Sequence, residues 1–243
     1  MNGKRTGAGA PGAAPTQGEE PARAKDGPRP GCRSGTPGRW DGRFPGFDVA
    51  AQAKHWDPVT AGVVLSRLRI PQELSFFSPA EEAAATALCD QLLGQDGGDP
   101  ARIPVVVLID TRLARGETDG WRYADMPEDA QAWRDTLRHL DEDAEAKFSR
   151  RFAECAGGDQ RTLIQAVQDT GSNEWHGLNA GHVWSLWTRY ACTAFYSHPK
   201  VWEEIGFSGP AYPRGYKNIG VDRREPFEVP DQHPGDDPVR EGY

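Results

Sequence analysis

The sequence predicts a mostly α-helical bundle with a disordered N-terminal head and an irregular C-terminal arm rich in Pro, Gly and aromatic residues. Three observations lead to this prediction. Apolar residues recur three or four positions apart over much of the chain, helix-capping residues precede these runs, and Gly and Pro concentrate towards the two ends. Hydrophobic residues make up 37% of the 243 residues, which is enough for a sizeable core.

The composition divides the chain into four predicted parts. Residues 1–45 are Gly, Pro, Ala and Arg with almost nothing to bury, and we predict a disordered head because such segments cannot offset the entropy lost on folding. We expect a helical domain at 46–198 and an aromatic arm at 199–221. An extended acidic tail follows at 222–243.

Two helix starts are marked by proline. Asp57 stands directly before Pro58, and an acidic N-cap followed by proline is a typical first turn. The run Ser78-Pro79-Ala80-Glu81 combines a capping serine, a first-turn proline and the glutamate of a capping box. Gly94 is a natural stop for the helix that follows.

The segment 104–114 fits two structures. Its three consecutive valines favour a buried strand, whereas Val106, Ile109 and Leu113 keep helical spacing. Periodicity alone does not decide between them.

The second half of the predicted domain shows further helices. Asp125-Met126-Pro127-Glu128 predicts a capping box before a long amphipathic helix whose apolar face reaches Phe148 and Phe152. Gly157-Gly158-Asp159 is predicted to end that helix and cap the next. Asn179 is predicted to cap a last helix, which is apolar around much of its circumference and is therefore expected to be the central one.

Charge and hydropathy narrow the classes of partner. The net charge of −8 argues against nucleic acid, because phosphates need a clustered basic face. No run approaches the roughly 18 apolar residues of a membrane helix, so no direct membrane insertion is predicted. The first residues contain no apolar secretory segment, and we expect a cytoplasmic protein, or a periplasmic one only if it is exported together with a partner.

No pattern predicts a self-sufficient catalytic centre. The four cysteines lie far apart without a CxxC pair, and the six histidines include no HExxH motif. His176 and His182 could converge with Glu174 on a metal if the loop between them folds back, but capping or core hydrogen bonding is the default. His198, next to Pro199 at a helix end, is expected to be a protonated imidazole at the negative end of the dipole.

The stretch TAFYSHPKVWEEIGFSGPAYPRGYKNIG resembles the closing signature of the gluconate 2-dehydrogenase subunit 3 family. In that family a helix ends in GFY-x-[DH]-P and leads to an IG[FY]-G-P-x-Y-P-x-G arm. Upstream, the helix start at 76–82 and the run at 159–164 are similar to the family's "LT-x-x-E" and "x-Q-x-x-LL" segments. The positions matching the closing signature are Phe195, Tyr196, His198, Pro199, Ile205, Gly206, Phe207, Gly209, Pro210, Tyr212, Pro213 and Gly215.

The resemblance implies a non-catalytic accessory subunit of a flavin-dependent dehydrogenase. The large subunit, of the glucose-methanol-choline oxidoreductase type, would hold FAD and act on a sugar, polyol or related alcohol, whereas this chain would hold no cofactor and no metal. A dedicated folding chaperone of that flavoprotein is the alternative, and a stand-alone metal-dependent enzyme using His176, His182 and His198 is a more distant one. The resemblance also implies helix at 104–114. Many family members carry a twin-arginine export signal, and this sequence shows none, which favours a cytoplasmic partner subunit.

The arm is predicted to be the partner-binding surface. Large aromatic side chains are typical interface anchors, and Pro199, Pro210 and Pro213 stiffen the arm, so that less entropy is lost on docking. The alternative is that the arm packs back on its own bundle and that its aromatic residues belong to the core. The predicted partner-binding residues are Phe195, Tyr196, His198, Trp202, Phe207, Tyr212, Arg214, Tyr216 and Lys217.

Overall fold

The computed structural model describes residues 44, 47–69, 74–220 and 223–229. All of them belong to the second of two units in the chain, Arg39–Tyr243. Nearly all of the predicted head at 1–45 and much of the predicted tail at 222–243 lie outside the described residues, so both remain predictions. The described helices and strands are α1 (Pro58–Ser66), α2 (Pro79–Leu93), α3 (Val105–Ala114), α4 (Asp129–Phe148), α5 (Gly157–Thr170), β1 (Glu174–Trp175), β2 (Leu178–Asn179), α6 (Ala180–Tyr196) and α7 (Pro199–Ile205).

The described part is mostly α-helical, as predicted, and two short 3₁₀ helices at Ala50–His55 and Phe152–Glu154 complete it. The two strands form one antiparallel hairpin in which Trp175 pairs with Leu178. Within the described ranges, no helix is both long enough and apolar enough to cross a lipid bilayer.

The starts of α1 and α2 agree with the sequence signals. The Asp57 carboxylate accepts hydrogen bonds from two backbone N–H groups in the first turn of α1. Ser78 and Glu81 form the predicted reciprocal capping box at the start of α2. Gly94 ends α2 with a φ of 65°, in the left-handed region that glycine enters without strain.

The ambiguous valine run is helix α3. Val106, Ile109 and Leu113 are buried on one face, and α3 packs against α2 and α6. A buried strand would need a neighbouring strand to pair its backbone groups, and the described part of this region offers none. The helix satisfies those groups within itself.

A buried carboxylate on α3 holds the loop before α2. Asp110 is 2% exposed and accepts three backbone N–H groups, from Ser75 at 2.8 Å and from Phe76 and Phe77 at 2.9 and 2.8 Å. Hydrogen bonds to an ionised acceptor are stronger than neutral ones. Asp110 therefore fixes the position at which α2 begins.

Asp110→Asn is expected to lower the free energy of unfolding by about 2 kcal/mol, because the new amide nitrogen would face a backbone donor and the ionic acceptor would be lost. Urea unfolding at neutral pH measures the change. Asp169→Asn, on an exposed position of α5, is the matched control and should change stability by less than about 0.5 kcal/mol. Equal effects of the two substitutions would contradict the role assigned to Asp110.

The predicted capping box at 125–128 is wrong. Helix α4 begins at Asp129, and its N-cap residue Glu128 makes no side-chain capping hydrogen bond. The carboxylate of Asp125 is instead bonded to the ring of His182, at 2.8 Å, so it does not cap the helix. Asp129 is buried and accepts the hydroxyl of Tyr190 at 2.7 Å.

The junction between α4 and α5 also differs from the prediction. Ser149 ends α4 in the left-handed region with a φ of 55°, and the buried Phe152 belongs to a separate 3₁₀ helix. Helix α5 begins at Gly157, and Ala156 precedes it without a side-chain cap. Asp159 lies within the first turn, where its negative charge suits the helix dipole without capping a backbone group.

Helix α6 is the central helix, as predicted. The side chain of Asn179 caps it by accepting the N–H of His182 at 3.2 Å. The helix packs against α2, α3, α4 and α5, which surround it. The fully buried Trp187 donates its indole N–H to the hydroxyl of Thr136 on α4, at 3.0 Å. The polar atom of this large core side chain is therefore satisfied inside the bundle.

The arm is not irregular from its beginning. Pro199 stops α6, yet Pro199–Ile205 forms a further helix, α7, with proline in its first turn. Proline has no N–H to donate and a fixed φ, so it ends one helix and suits the start of the next. Gly206 ends α7 with a φ of 73°.

Candidate partner-binding site

A second, small core connects residues 47–64 to α7. The indole N–H of Trp202 donates to the carbonyl of Tyr196 at 2.5 Å, and the guanidinium of Arg67 lies 5.8 Å from its ring centre. The carboxylate of Glu203 accepts the backbone N–H of Val49 at 3.1 Å. The buried members of this small core are Val49, Trp56, Val64 and Trp202.

Two glycines let the arm backbone approach neighbouring side chains closely. A Cβ at Gly209, where φ is 81°, would lie 2.5 Å from the Trp56 ring. A Cβ at Gly206 would lie 2.6 Å from Phe44 and from Val229. Only glycine combines the positive φ with the missing side chain that these contacts require. The glycines of the IGFSG segment are therefore explained by packing within the chain.

The outer part of the arm is held by residues 223–229. The guanidinium of Arg214 stacks over the ring of Phe227, 3.8 Å from its centre, and donates to Gln52 at 3.2 Å. The carboxylate of Glu225 accepts the backbone N–H groups of Lys217 and Asn218. The arm is thus connected both to the segment before α1 and to the residues that follow it.

Although its base is buried, the arm exposes many large apolar side chains. Tyr212 is 67% exposed and Tyr216 is 53% exposed. More than half of the exposed large apolar side chains among the described residues fall within 196–219. We call this set the arm surface: Tyr196, Ile205, Phe207, Tyr212, Tyr216 and Ile219. Concentrated apolar exposure of this kind is typical of interaction sites.

A comparison with known protein families gives a match that extends from α2 through α7 to the first part of the arm. A family model described as gluconate 2-dehydrogenase subunit 3 matches residues 79–209, which is more than half of the chain. The chain belongs to the gluconate 2-dehydrogenase subunit 3 family. No curated protein and no solved structure matches it.

Membership in the gluconate 2-dehydrogenase subunit 3 family defines a coarse role, that of an accessory subunit of a dehydrogenase complex. The match begins with the first residue of α2 and ends at Gly209, where the arm backbone touches Trp56. Tyr212 and Tyr216 lie beyond the matched residues. The assignment of these two exposed tyrosines to an interaction surface therefore rests on the structure of this chain, because the family match does not reach them.

The structure divides the predicted partner-binding residues into exposed and buried ones. Tyr196, Phe207, Tyr212, Tyr216 and Lys217 are exposed. By contrast, His198 and Trp202 are buried in this family member, and Phe195 and Arg214 are partly buried. The base of the arm thus packs within its own chain, largely on the small core rather than on the helical bundle, and His198 and Trp202 offer no exposed side chain to a partner.

His198 is a neutral capping residue, so the protonated imidazole predicted for it is wrong. The side chain is 3% exposed, and its Nδ1 accepts the backbone N–H of Lys200 at 3.3 Å, at the N-terminal end of α7. Burial lowers the pKa of His198 to about 4, and the nearby cations of Lys200 and Arg67 act in the same direction. The ring belongs to the positive end of α7, where an acceptor suits the dipole.

This burial predicts a loss of stability in mild acid. The unfolded imidazole takes up a proton near pH 6.5, whereas the folded one does so only near pH 4, so stability falls as pH decreases between these values. We expect a loss of about 2 kcal/mol between pH 7.5 and pH 5 from this residue. Urea unfolding of the wild type and of His198→Asn measures it, since asparagine can cap the helix but does not titrate. Parallel pH profiles of the two proteins would contradict the assignment.

The three histidines of the metal-enzyme alternative do not form one site. His176 is bonded to Asp143, and His182 is bonded to Asp125 and stacked on Tyr123. Among the described residues of this family member, the potential metal-binding group consists instead of His139, Glu142 and His176. Sequence reasoning missed His139, although its spacing of three from Glu142 on a helix was a usable signal.

Proposed function

We propose that this chain is the non-catalytic small subunit of an FAD-dependent dehydrogenase complex. In this complex it binds and stabilises a large subunit of the glucose-methanol-choline oxidoreductase type, which acts on a sugar, polyol or related alcohol. FAD and the reacting groups belong to the large subunit. Family membership supports the subunit role, and the arm supports the kind of contact that the chain makes.

The observation that carries the proposal is a set of exposed aromatic anchors on a rigid base. Tyr212 and Tyr216 present large amphipathic rings, the type of side chain that dominates binding energy at protein interfaces. The segment that bears them is fixed by the small core around Trp202 and by the stacking of Arg214 on Phe227. Because this base is already ordered, little entropy is lost when the arm surface docks.

The groove between α2 and α4 is poorly suited to a small-molecule ligand. A groove of about 230 Å³ lies between α2 and α4, below the roughly 300 Å³ at which ligand pockets begin. Arg134 and Glu81 form an ion pair across it at 2.8 Å. We therefore assign the function to the arm surface.

The test is gentle purification from the native host with a tag that contains no histidines. We expect a large companion polypeptide in fixed stoichiometry, a flavin absorbance spectrum, and dye-reducing activity with sugars or polyols. A companion that is recovered only after chemical cross-linking would identify a transient chaperone instead. A colourless chain without any companion would contradict both.

A further inference from the structure

Two histidines and a glutamate converge beside α4, away from the small core. His139 and Glu142 lie one turn apart on α4, and His176 lies in the turn between β1 and β2. One ligand atom of each side chain lies within 4.8 Å of the other two. Nδ1 of His139 is 2.9 Å from Oε2 of Glu142, and Nδ1 of His176 is 3.6 Å from the same oxygen.

The backbone places His176 there in an uncommon conformation. His176 and Gly177 form the two-residue turn of the hairpin, with φ values of 50° and 79°. Such turns favour Asn-Gly, and a histidine in the left-handed region costs about 1 kcal/mol. The result is an imidazole stacked on that of His139, with 4.3 Å between ring centres. The hairpin turn thus carries a potential metal ligand at a position whose backbone conformation favours asparagine.

A second carboxylate orients the ring of His176. Oδ1 of Asp143 lies 2.7 Å from Nε2 of His176, and Oδ2 accepts the indole N–H of Trp175 at 2.8 Å. We assign the ring proton to Nε2, because Asp143 can only accept. The lone pair of Nδ1 is then left on the side of Glu142. A carboxylate that fixes the outer nitrogen of a histidine is the usual support of a metal ligand.

Arg138 occupies one carboxylate oxygen of Glu142, and the other oxygen faces the two histidines. Arg138 donates to Oε1 of Glu142 at 2.6 Å, and its second nitrogen lies 3.4 Å from Nε2 of His139. Oε2 therefore remains between the two Nδ1 atoms. The positive charge of Arg138 lowers the affinity for a cation, whereas the carboxylates of Glu142 and Asp143 raise it.

We propose that Nδ1 of His139, Nδ1 of His176 and Oε2 of Glu142 bind one divalent transition-metal ion of the zinc class. Two imidazoles and a carboxylate are a familiar zinc ligand set, and water takes the fourth position. Metal–ligand bonds of about 2.0–2.1 Å place tetrahedral ligand atoms about 3.3 Å apart. Binding therefore requires the two stacked rings to rotate until both Nδ1 lone pairs meet at one ion. It also releases the Nδ1 proton that His139 donates to Glu142. The ion connects the hairpin to α4, and this role is independent of the proposed docking function.

The test is a titration of the full, tag-free chain with zinc chloride in competition with a chromophoric chelator. We expect one ion per chain and an increase of several degrees in Tm at saturating zinc, because only the folded chain assembles the three ligands. His176→Asn should reduce zinc affinity at least about 10-fold. Asparagine suits the left-handed turn, so the Tm in EDTA should stay at or above that of the wild type.

Two further variants complete the test. Glu142→Gln should also weaken zinc binding about 10-fold or more, since it removes the anionic ligand. His182→Asn, at a half-buried histidine outside the group, should leave zinc affinity within about two-fold. Absence of zinc binding below about 0.1 mM would overturn the proposal, as would equal affinities of the wild type and His176→Asn, or equal losses in His176→Asn and His182→Asn.

Discussion

Tyr212→Ser combined with Tyr216→Ser is expected to weaken binding of the proposed large flavoprotein subunit by about 100-fold or more. Each ring is at least half exposed in the free chain, and truncation of an aromatic anchor at an interface costs about 2 kcal/mol or more. The rings contribute little to the stability of the free chain, so its Tm should change by no more than a few degrees.

Binding of purified large subunit to the immobilised chain measures this effect, and co-purified flavin absorbance provides a second reading. Tyr123→Ser is the matched control, because Tyr123 is also exposed but stacks on His182, outside the arm. Unchanged binding of the double variant would exclude these tyrosines as anchors. If the wild-type chain still co-purified with a flavoprotein, the subunit role would stand and the contact would lie elsewhere.

Trp202→Ala is expected to lower the free energy of unfolding by about 4 kcal/mol, the usual cost of emptying a buried tryptophan site. The side chain is 6% exposed and packs with Val49, Trp56 and Val64. Its loss also removes the donor to the carbonyl of Tyr196. We expect the base of the arm to loosen, and partner binding to weaken with it although Trp202 itself is buried.

Urea unfolding measures the stability change, and hydrogen exchange locates it. Amides of 47–66 and of α7 should exchange faster, whereas those of α4 and α6 should change much less. Trp121→Ala is the control, because Trp121 is 50% exposed and its removal should cost less than about 1 kcal/mol. A uniform increase in exchange over the whole bundle would show that the small core is not a separate element.

The features that were predicted correctly are those that depend on neighbouring residues. Asp57, Ser78, Gly94 and Asn179 act within one turn of their own helix ends, so their roles can be inferred from short segments. The apolar circumference of α6 likewise revealed its central position, because a helix that is apolar on most sides has to be surrounded by others.

The features that were missed depend on contacts between distant residues. An aromatic residue such as Trp202 gives the same sequence signal whether it faces a partner or its own chain, and only the position of 47–66 distinguishes the two. Asp125 has the spacing of a capping box, but its carboxylate is hydrogen-bonded to the ring of His182 and does not cap the helix. His176 joins His139 only because the hairpin turn brings it there.

The small core also has a consequence for the order of events during synthesis. Glu203 contacts Val49 across 154 positions of sequence, and Arg214 contacts Gln52 across 162. The outer arm further requires Glu225 and Phe227, which leave the ribosome later still. Contacts between such distant residues form last, because the intervening chain has to be made and closed first. A nascent chain therefore completes its helical bundle before it can order the arm surface.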